Sequence, residues 1–352
     1  MESITIDGSL GEGGGQILRT SLVYSALTGK QFRIVNIRGN RPKPGLRKQH
    51  VGCVKLAEQM TGAYISEVNV GTRGLSFIPG KAKPGIFSVD IVGGSITLLV
   101  SVFLPIALVA DGACCLNVRG GTDVPFAPTS SYFQHAFLPL LSGFFSKIDL
   151  SVLKRGYFPL GKGKIRLSVE RNSALAPLSF LEKGDQKETS LYVTSTNLPD
   201  HISRRLCSSF DKEMKIISRN HFDDINFIVN NTYSPDTWRV GVSACSVTKF
   251  ESGIIARSRC GMKNIPTERI GKKLARDHLN QIEQPCIDSN LADQIFPYVG
   301  LFGGEICVKN PSRHFLTGLR IFEKFLGKNY SLKKDGDLRS YSFRPWYRSC
   351  ES

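Results

Sequence analysis

One order of elements occurs three times along this chain, and that repetition limits the possible folds more than any other feature. A β-prone segment, Ile4-Thr5-Ile6, leads into a helical pattern over residues 16–27, then a strand at 31–37 and a second helix at 46–60. Two further strands lie in AYISEVNV and LSFIPG, and a Thr-Gly pair stops each helix, as expected where a left-handed residue ends a helix. The β-α-β-α-β-β order restarts at IFSVDIV, with an apolar helix at 95–109, the strand CCLNVRG, a helix at 129–145, and strands KIDLSVLKRG and KIRLSVE. A period of about 80 residues points to duplicated α/β domains and away from a solenoid.

A third copy closes the chain after an interruption. A helix at 291–301, the strand GEICVKN, a helix at 314–326 and two final strands repeat the pattern. The stretch between, residues 178–282, has a β-α-β-β pattern of its own and helices rich in basic residues. The expected architecture is therefore a mixed α/β (α+β) fold, with residues 1–177 and 283–352 forming a large domain of three units. Residues 178–282 form a smaller inserted α/β domain.

In each copy the second helix is entered through a proline-containing loop: RPKPG, VPFAP and NPSR. If the units pack about a pseudo-threefold axis, those three helix N-termini face one cleft. Charge suggests what such a cleft would hold. The 46 Lys and Arg against 30 Asp and Glu give a net charge of +16, which suits a polyanion such as RNA, DNA or a ribosome better than a membrane. The most apolar run, around residues 96–110, is too short to span a bilayer and contains Ser101 and Pro105. Nine scattered cysteines without a CxxC pair argue for free thiols and against a structural zinc site. No secretory signal is visible at the N-terminus, so the expected location is cytoplasmic, or nuclear in a eukaryote.

The densest chemistry lies in DGSLGEGGGQILR, residues 7–19. Three glycines opening a helix can bring backbone N–H groups and a partial positive charge up to an anion, or can simply form a tight strand-to-helix turn. Glu12, Gln16 and Arg19 surround that opening. Arg19, Arg38 and Arg41 could fork onto phosphate oxygens, and Glu12 is a plausible ligand for Mg²⁺ or Mn²⁺. Of six histidines, His135, His201, His221 and His278 read as structural or surface residues. His50 and His314 stand at the openings of second helices. His314 follows Pro311-Ser312-Arg313, where the helix dipole favours neutral imidazole; it can be a cap residue or a nucleophile for phosphorus. GYFPLGKG, residues 156–163, nearly matches a Walker loop. Gly163 replaces the metal-binding hydroxyl and strands flank the segment on both sides, so it reads as a hairpin turn.

Together, DGSLGEGGGQILRTSL, IRGNRPKPGLRKQH, GGTDVPFAP, RGYFPLGKGK, LADQ and PSRH resemble the ordered motifs of the RNA 3′-terminal phosphate cyclases, over essentially the whole chain. The resemblance implies three repeated units similar to those of EPSP synthase, plus an inserted domain. It implies an ATP-dependent ligase-type nucleotidyl transfer in RNA processing. A histidine takes AMP from ATP and passes it to an RNA 3′-phosphate to give RNA(3′)pp(5′)A; the 2′-OH then displaces AMP and leaves a 2′,3′-cyclic phosphate. By the same resemblance His314 is the nucleophile, and Glu12 engages the divalent metal. Gln16, Arg19, Arg38, Arg41 and His50 hold phosphates of ATP or the RNA end, and Pro128, Asp293 and Gln294 form the nucleotide pocket. Asn290 stands where many relatives carry a tyrosine, Ser101 replaces a usual glutamine, Gly318 a usual asparagine, and Lys162 interrupts a glycine triplet. A non-catalytic branch of the family serves ribosome assembly, but it lacks the EGGGQ motif and the histidine that this chain retains. Monomer and homodimer are both compatible with the sequence.

Overall fold

The computed structural model describes residues 3–219, 222, 224–236 and 239–346; His221, Trp238 and Cys350 lie outside them. Three four-stranded sheets share one topology. In the first, β1 (Ile4–Asp7) pairs parallel with β2 (Phe32–Val35). β4 (Leu75–Ile78) is antiparallel to β2, and β3 (Tyr64–Ile65) to β4, giving the order β1-β2-β4-β3. The second sheet, from β5 (Gly85–Ser95), β6 (Cys114–Gly121), β7 (Phe145–Lys154) and β8 (Gly163–Arg171), has the order β5-β6-β8-β7. The third is built from β9 (Leu178–Phe180), β14 (Gly304–Lys309), β15 (Tyr330–Asp335) and β16 (Leu338–Phe343), in the order β9-β14-β16-β15. Each unit opens with a parallel pair, because a helix crosses over between its first two strands, and closes with an antiparallel pair, because no helix intervenes between its last two. GYFPLGKG connects antiparallel neighbours β7 and β8, as a hairpin must.

β9 changes where the insertion begins. The expected boundary at residue 178 falls on this strand, which pairs with β14 and is the first strand of the third unit. The inserted segment thus separates the first strand of that unit from its first helix. Only three residues of β9 join the ladder, too few for a periodic signal. The insertion contains β10 (Gln186–Thr196), α5 (Asp200–Ser218), β11 (Ile225–Thr232), β12 (Gly241–Phe250), β13 (Ile254–Cys260) and α6 (Thr267–Ile282), with sheet order β11-β10-β12-β13. Strand β13 is an element that the β-α-β-β reading lacked.

Helices α1 (Gly15–Thr28), α2 (Lys48–Thr61), α3 (Thr97–Ala107), α7 (Ser289–Phe302) and α8 (Arg313–Leu326) gather in the middle, with α1 packed against α2, α3 and α8. Their apolar faces and the inner sheet faces form one large core, in which α1, α7 and α8 meet through Tyr24, Phe296, Phe315 and Phe322. The inserted sheet alternates between two cores. Leu191, Val193 and Ala244 face α5 and α6, whereas Cys245 and Val247 face the large core. The period-two pleat dictates that division.

The helix expected at 129–145 is broken. Only α4 (Ser130–Tyr132) is α-helical; Phe133–Phe137 is a π turn and Leu138–Leu141 a 3₁₀ turn, and β7 begins at Phe145. Pro139 cannot donate to the carbonyl four residues earlier, so the ladder rearranges and the Leu138 N–H bonds to Phe133 O. AYISEVNV likewise pairs only over Tyr64–Ile65. All eight described cysteines are free.

Candidate active site

A cavity of about 730 Å³ opens at the centre of the helix cluster, and all ten residues singled out in the sequence line it: Glu12, Gln16, Arg19, Arg38, Arg41, His50, Pro128, Asp293, Gln294 and His314. The first and second helix of every unit, or the loop before it, reaches its wall. The shared topology is what brings three loops that are far apart in sequence to one place.

The glycine run is required by close approach. A Cβ on Gly15 would lie 2.0 Å from His50 Nε2 and 3.2 Å from an Arg19 nitrogen, and Gly13 sits at φ +55° against Asn40. Helix α1 starts at Gly15 with Gly14 as its cap, and no side chain caps its free N–H groups. Those donors therefore remain available to an anion. Arg19, half-buried beside them, has no carboxylate partner among the described residues; burial lowers its pKa. Arg38 is held in place as its Nη1 donates to the carbonyls of Lys43 and Gly45, while Arg41 pairs with Glu12 at 3.3 Å.

Two histidines flank this opening in defined tautomers. His50 Nδ1 accepts from the Arg47 N–H at 3.0 Å, so its proton sits on Nε2, which points toward Gly15. Burial, then Arg19, Arg38 and Arg47, push the His50 pKa down to about 3, so this imidazole is a neutral donor. At His314 the Gln16 amide is oriented by its Nε2–H, which donates to the His314 carbonyl at 3.0 Å; Gln16 Oε1 must therefore accept from His314 Nδ1. The other ring nitrogen, Nε2, lies 3.0 Å from Glu12 Oε2, an ion-pair contact when the ring is protonated. Burial is the main cause lowering the His314 pKa. Glu12 opposes it, and Arg19 and Arg41 add to it. The result is a half-exposed imidazole, with Nε2 directed at the charged end of the cavity.

The first turn of α8 is tied to α7. Ser312 caps α8 by accepting from the Phe315 N–H, and its own hydroxyl donates to Asp293 Oδ1. Burial raises the Asp293 pKa to about 7. Gln294 donates to the Asn290 carbonyl, and its Oε1 is a buried acceptor without a partner among the described residues. Tyr132, Phe133, Phe137 and Tyr298, all buried, make an apolar wall at this end.

Residues that the sequence reading did not select also line the cavity. Arg47 and Gln49 accompany His50, Phe126 stands on the rim, and Ser258 reaches in from the inserted domain. RKQH could have signalled the first two. Ser258 could not have been found, because β13 and its placement are tertiary facts. The inserted domain is joined to the site by two buried carboxylates. Asp288, the α7 cap, accepts from Arg257 (2.7 Å), Tyr132 OH (3.1 Å) and the Ala256 N–H (3.0 Å). Asp123 accepts from Thr122, Ser130, Arg155 and Ser243.

The other histidines lie elsewhere. His278 is buried between Ser246 and Thr248, His135 stacks on Tyr192, and His201 is exposed. No group of three or more His, Cys, Asp or Glu suited to a metal occurs among the described residues. Glu12 nevertheless fits a divalent cation that takes one carboxylate and completes its shell with nucleotide phosphate oxygens and water.

A family model described as "RNA 3'-terminal phosphate cyclase" matches residues 10–332. A protein of that name from Pyrococcus furiosus is 34% identical over 336 residues, covering 94% of this chain and 95% of the relative. Thermococcus onnurineus has one 33% identical over 337 residues, covering 95% and 96%. The Methanococcoides burtonii relative is 34% identical over 352 residues, covering 97% of this chain and all of its own length.

Proposed function

The chain belongs to the RNA 3′-terminal phosphate cyclase family, and we propose that it converts RNA 3′-phosphate ends into 2′,3′-cyclic phosphates with ATP, through covalent AMP on His314. The observation that carries this reading is the tautomer at His314. Gln16 holds the Nδ1 proton, so Nε2, 3.0 Å from Glu12 Oε2, is the nitrogen that can attack once it has given up its own proton.

Attack by Nε2 on the ATP α-phosphate breaks the α–β anhydride, releases pyrophosphate and leaves an imidazolium phosphoramidate whose Nδ1–H stays on Gln16 Oε1. The RNA 3′-phosphate then displaces the imidazole, which regains its lone pair. In the last step the 2′-OH attacks the activated phosphorus, its proton passing to solvent water, and AMP leaves. Charge develops on phosphoryl oxygens in each step, and Arg19, the α1 N–H groups and neutral His50 stabilise it; losing one preorganised donor typically costs about 3–4 kcal/mol. Arg38 and Arg41 hold further phosphate oxygens. A Mg²⁺ or Mn²⁺ bound by Glu12 would neutralise phosphate charge. Pro128, Asp293 and Gln294, beside the apolar wall, take the nucleoside of ATP.

No helix among the described residues is long and apolar enough to cross a membrane. The test is incubation with ATP labelled in the α-phosphate, followed by a denaturing gel. A band released by acid and absent from His314→Ala is expected. A folded wild type that acquires no label with either metal would overturn the histidinyl route.

A further inference from the structure

We propose that Phe126 is the platform on which the terminal nucleobase of the RNA stacks as its 3′-phosphate enters the cavity; this rests on the function proposed above. Phe126 has φ +64°, a left-handed conformation that a bulky L residue adopts only under constraint. Its side chain is fully exposed, at 105% relative accessibility, yet the residue belongs to the cavity wall. A strained backbone and an apolar ring in water both oppose folding, and no contact of the ring among the described residues repays them.

The surrounding loop explains how the ring is held there. On one side Val124 is buried against Gly121, and Asp123 is fixed by Thr122, Ser130 and Arg155. On the other, the Pro128 carbonyl accepts from Thr97 Oγ1 at 2.9 Å, and Thr129 caps α4 while its N–H donates to Ser258. Both ends of the loop are anchored in buried polar networks, which leaves Phe126 raised between them on a rigid base.

Position decides the ligand. Phe133, Phe137 and Tyr298 back the cavity wall but are at most 1% exposed, so other protein atoms cover their faces and they form an enclosure. A ring wholly in solvent lies outside that enclosure, on the rim over which a polymer must pass to deliver its end. Exposed Arg47 and half-buried Arg38 line the same cavity and supply positive charge for backbone phosphates. Aromatic rings beside basic side chains bind single strands with little base preference, since every base has a π face.

The experiment compares two 3′-phosphorylated oligonucleotides, one ending in an ordinary nucleotide and one in an abasic nucleotide, in the wild type, Phe126→Tyr and Phe126→Leu. The wild type and Phe126→Tyr should show a lower KM for the ordinary end than for the abasic end, by about 5- to 150-fold, the range that base–aromatic stacking supports. In Phe126→Leu, which keeps an apolar side chain on the same backbone, the two KM values should converge. Equal discrimination in Phe126→Leu and the wild type would overturn the proposal. So would a rise in KM for ATP with discrimination unchanged, which would give the ring to the nucleotide. A wild type that acquires AMP but ignores the terminal base overturns the platform alone. One that neither acquires AMP nor cyclises overturns the proposed function, and the platform with it.

Discussion

Replacing Gln16 tests the tautomer argument most directly. Its amide makes two contacts to one residue, accepting from His314 Nδ1 and donating to the His314 carbonyl at 3.0 Å. Before attack the Nδ1 contact is a neutral hydrogen bond, worth about 0.5–1.5 kcal/mol net. In the proposed reaction the ring becomes cationic as Nε2 bonds to phosphorus, and the same contact becomes charge-assisted, worth about 1.5–3 kcal/mol. The difference, roughly 1–2 kcal/mol, acts only in the transition state; with release of the wrong tautomer, Gln16→Met should slow AMP transfer about 10- to 100-fold. Gln16→Glu should act differently. A carboxylate against Nδ1 stabilises imidazolium, so the pH at which Nε2 becomes free moves upward and the rate climbs with pH through a higher midpoint. In the wild type burial holds the His314 pKa below its ordinary value, so its midpoint lies below that of a free imidazole. Single-turnover formation of labelled enzyme, followed from pH 5 to 9, reads both effects. A Gln16→Met enzyme as fast as the wild type, or a Gln16→Glu profile that does not shift, would refute the assignment of Nε2.

Four further outcomes are expected. Asp288→Asn retains a capping side chain but removes the charge facing Arg257, and loss of one partner of a buried pair costs about 3–5 kcal/mol; urea midpoints at unchanged m-value measure it, and a loss below 1 kcal/mol would contradict the pairing. Gly15→Ala places a methyl 2.0 Å from His50 Nε2, so ATP-dependent labelling should fall steeply while circular dichroism stays native. Stability should fall as pH drops below 6.5, because His50 and His278, each held neutral with a pKa of about 3, gain protons first in the unfolded chain, at up to about 1.4 kcal/mol per pH unit each. Asp293 opposes this, since its raised pKa gives stability that is present at low pH and lost as pH rises through about 7. His278→Gln should therefore flatten the acid limb of the stability curve, and an unchanged limb would show that His278 is not the group titrating.

The triplicated order was legible in the sequence because each copy carries its own strand-prone segments and a proline loop before its second helix, all of which are local signals. Residues that line the cavity were legible for the same reason: Arg19 on an apolar helix, glycines before it, and a histidine opening a helix after Pro-Ser-Arg. Strand β9 escaped because it is defined by a partner more than a hundred residues away, β14, and not by its own three residues. The break at Pro139 was written in the chain but was overridden by the apolar run around it. What only the tertiary structure decided was relative placement. It set His50 against Gly15, the Gln16 amide against His314, Ser258 of the inserted strand at the cavity wall, and Phe126 in solvent at its rim. Periodicity records which face of an element is buried, but each of these contacts joins different elements. Their geometry follows from how three sheets and their helices pack around a common centre, which no local stretch of sequence encodes.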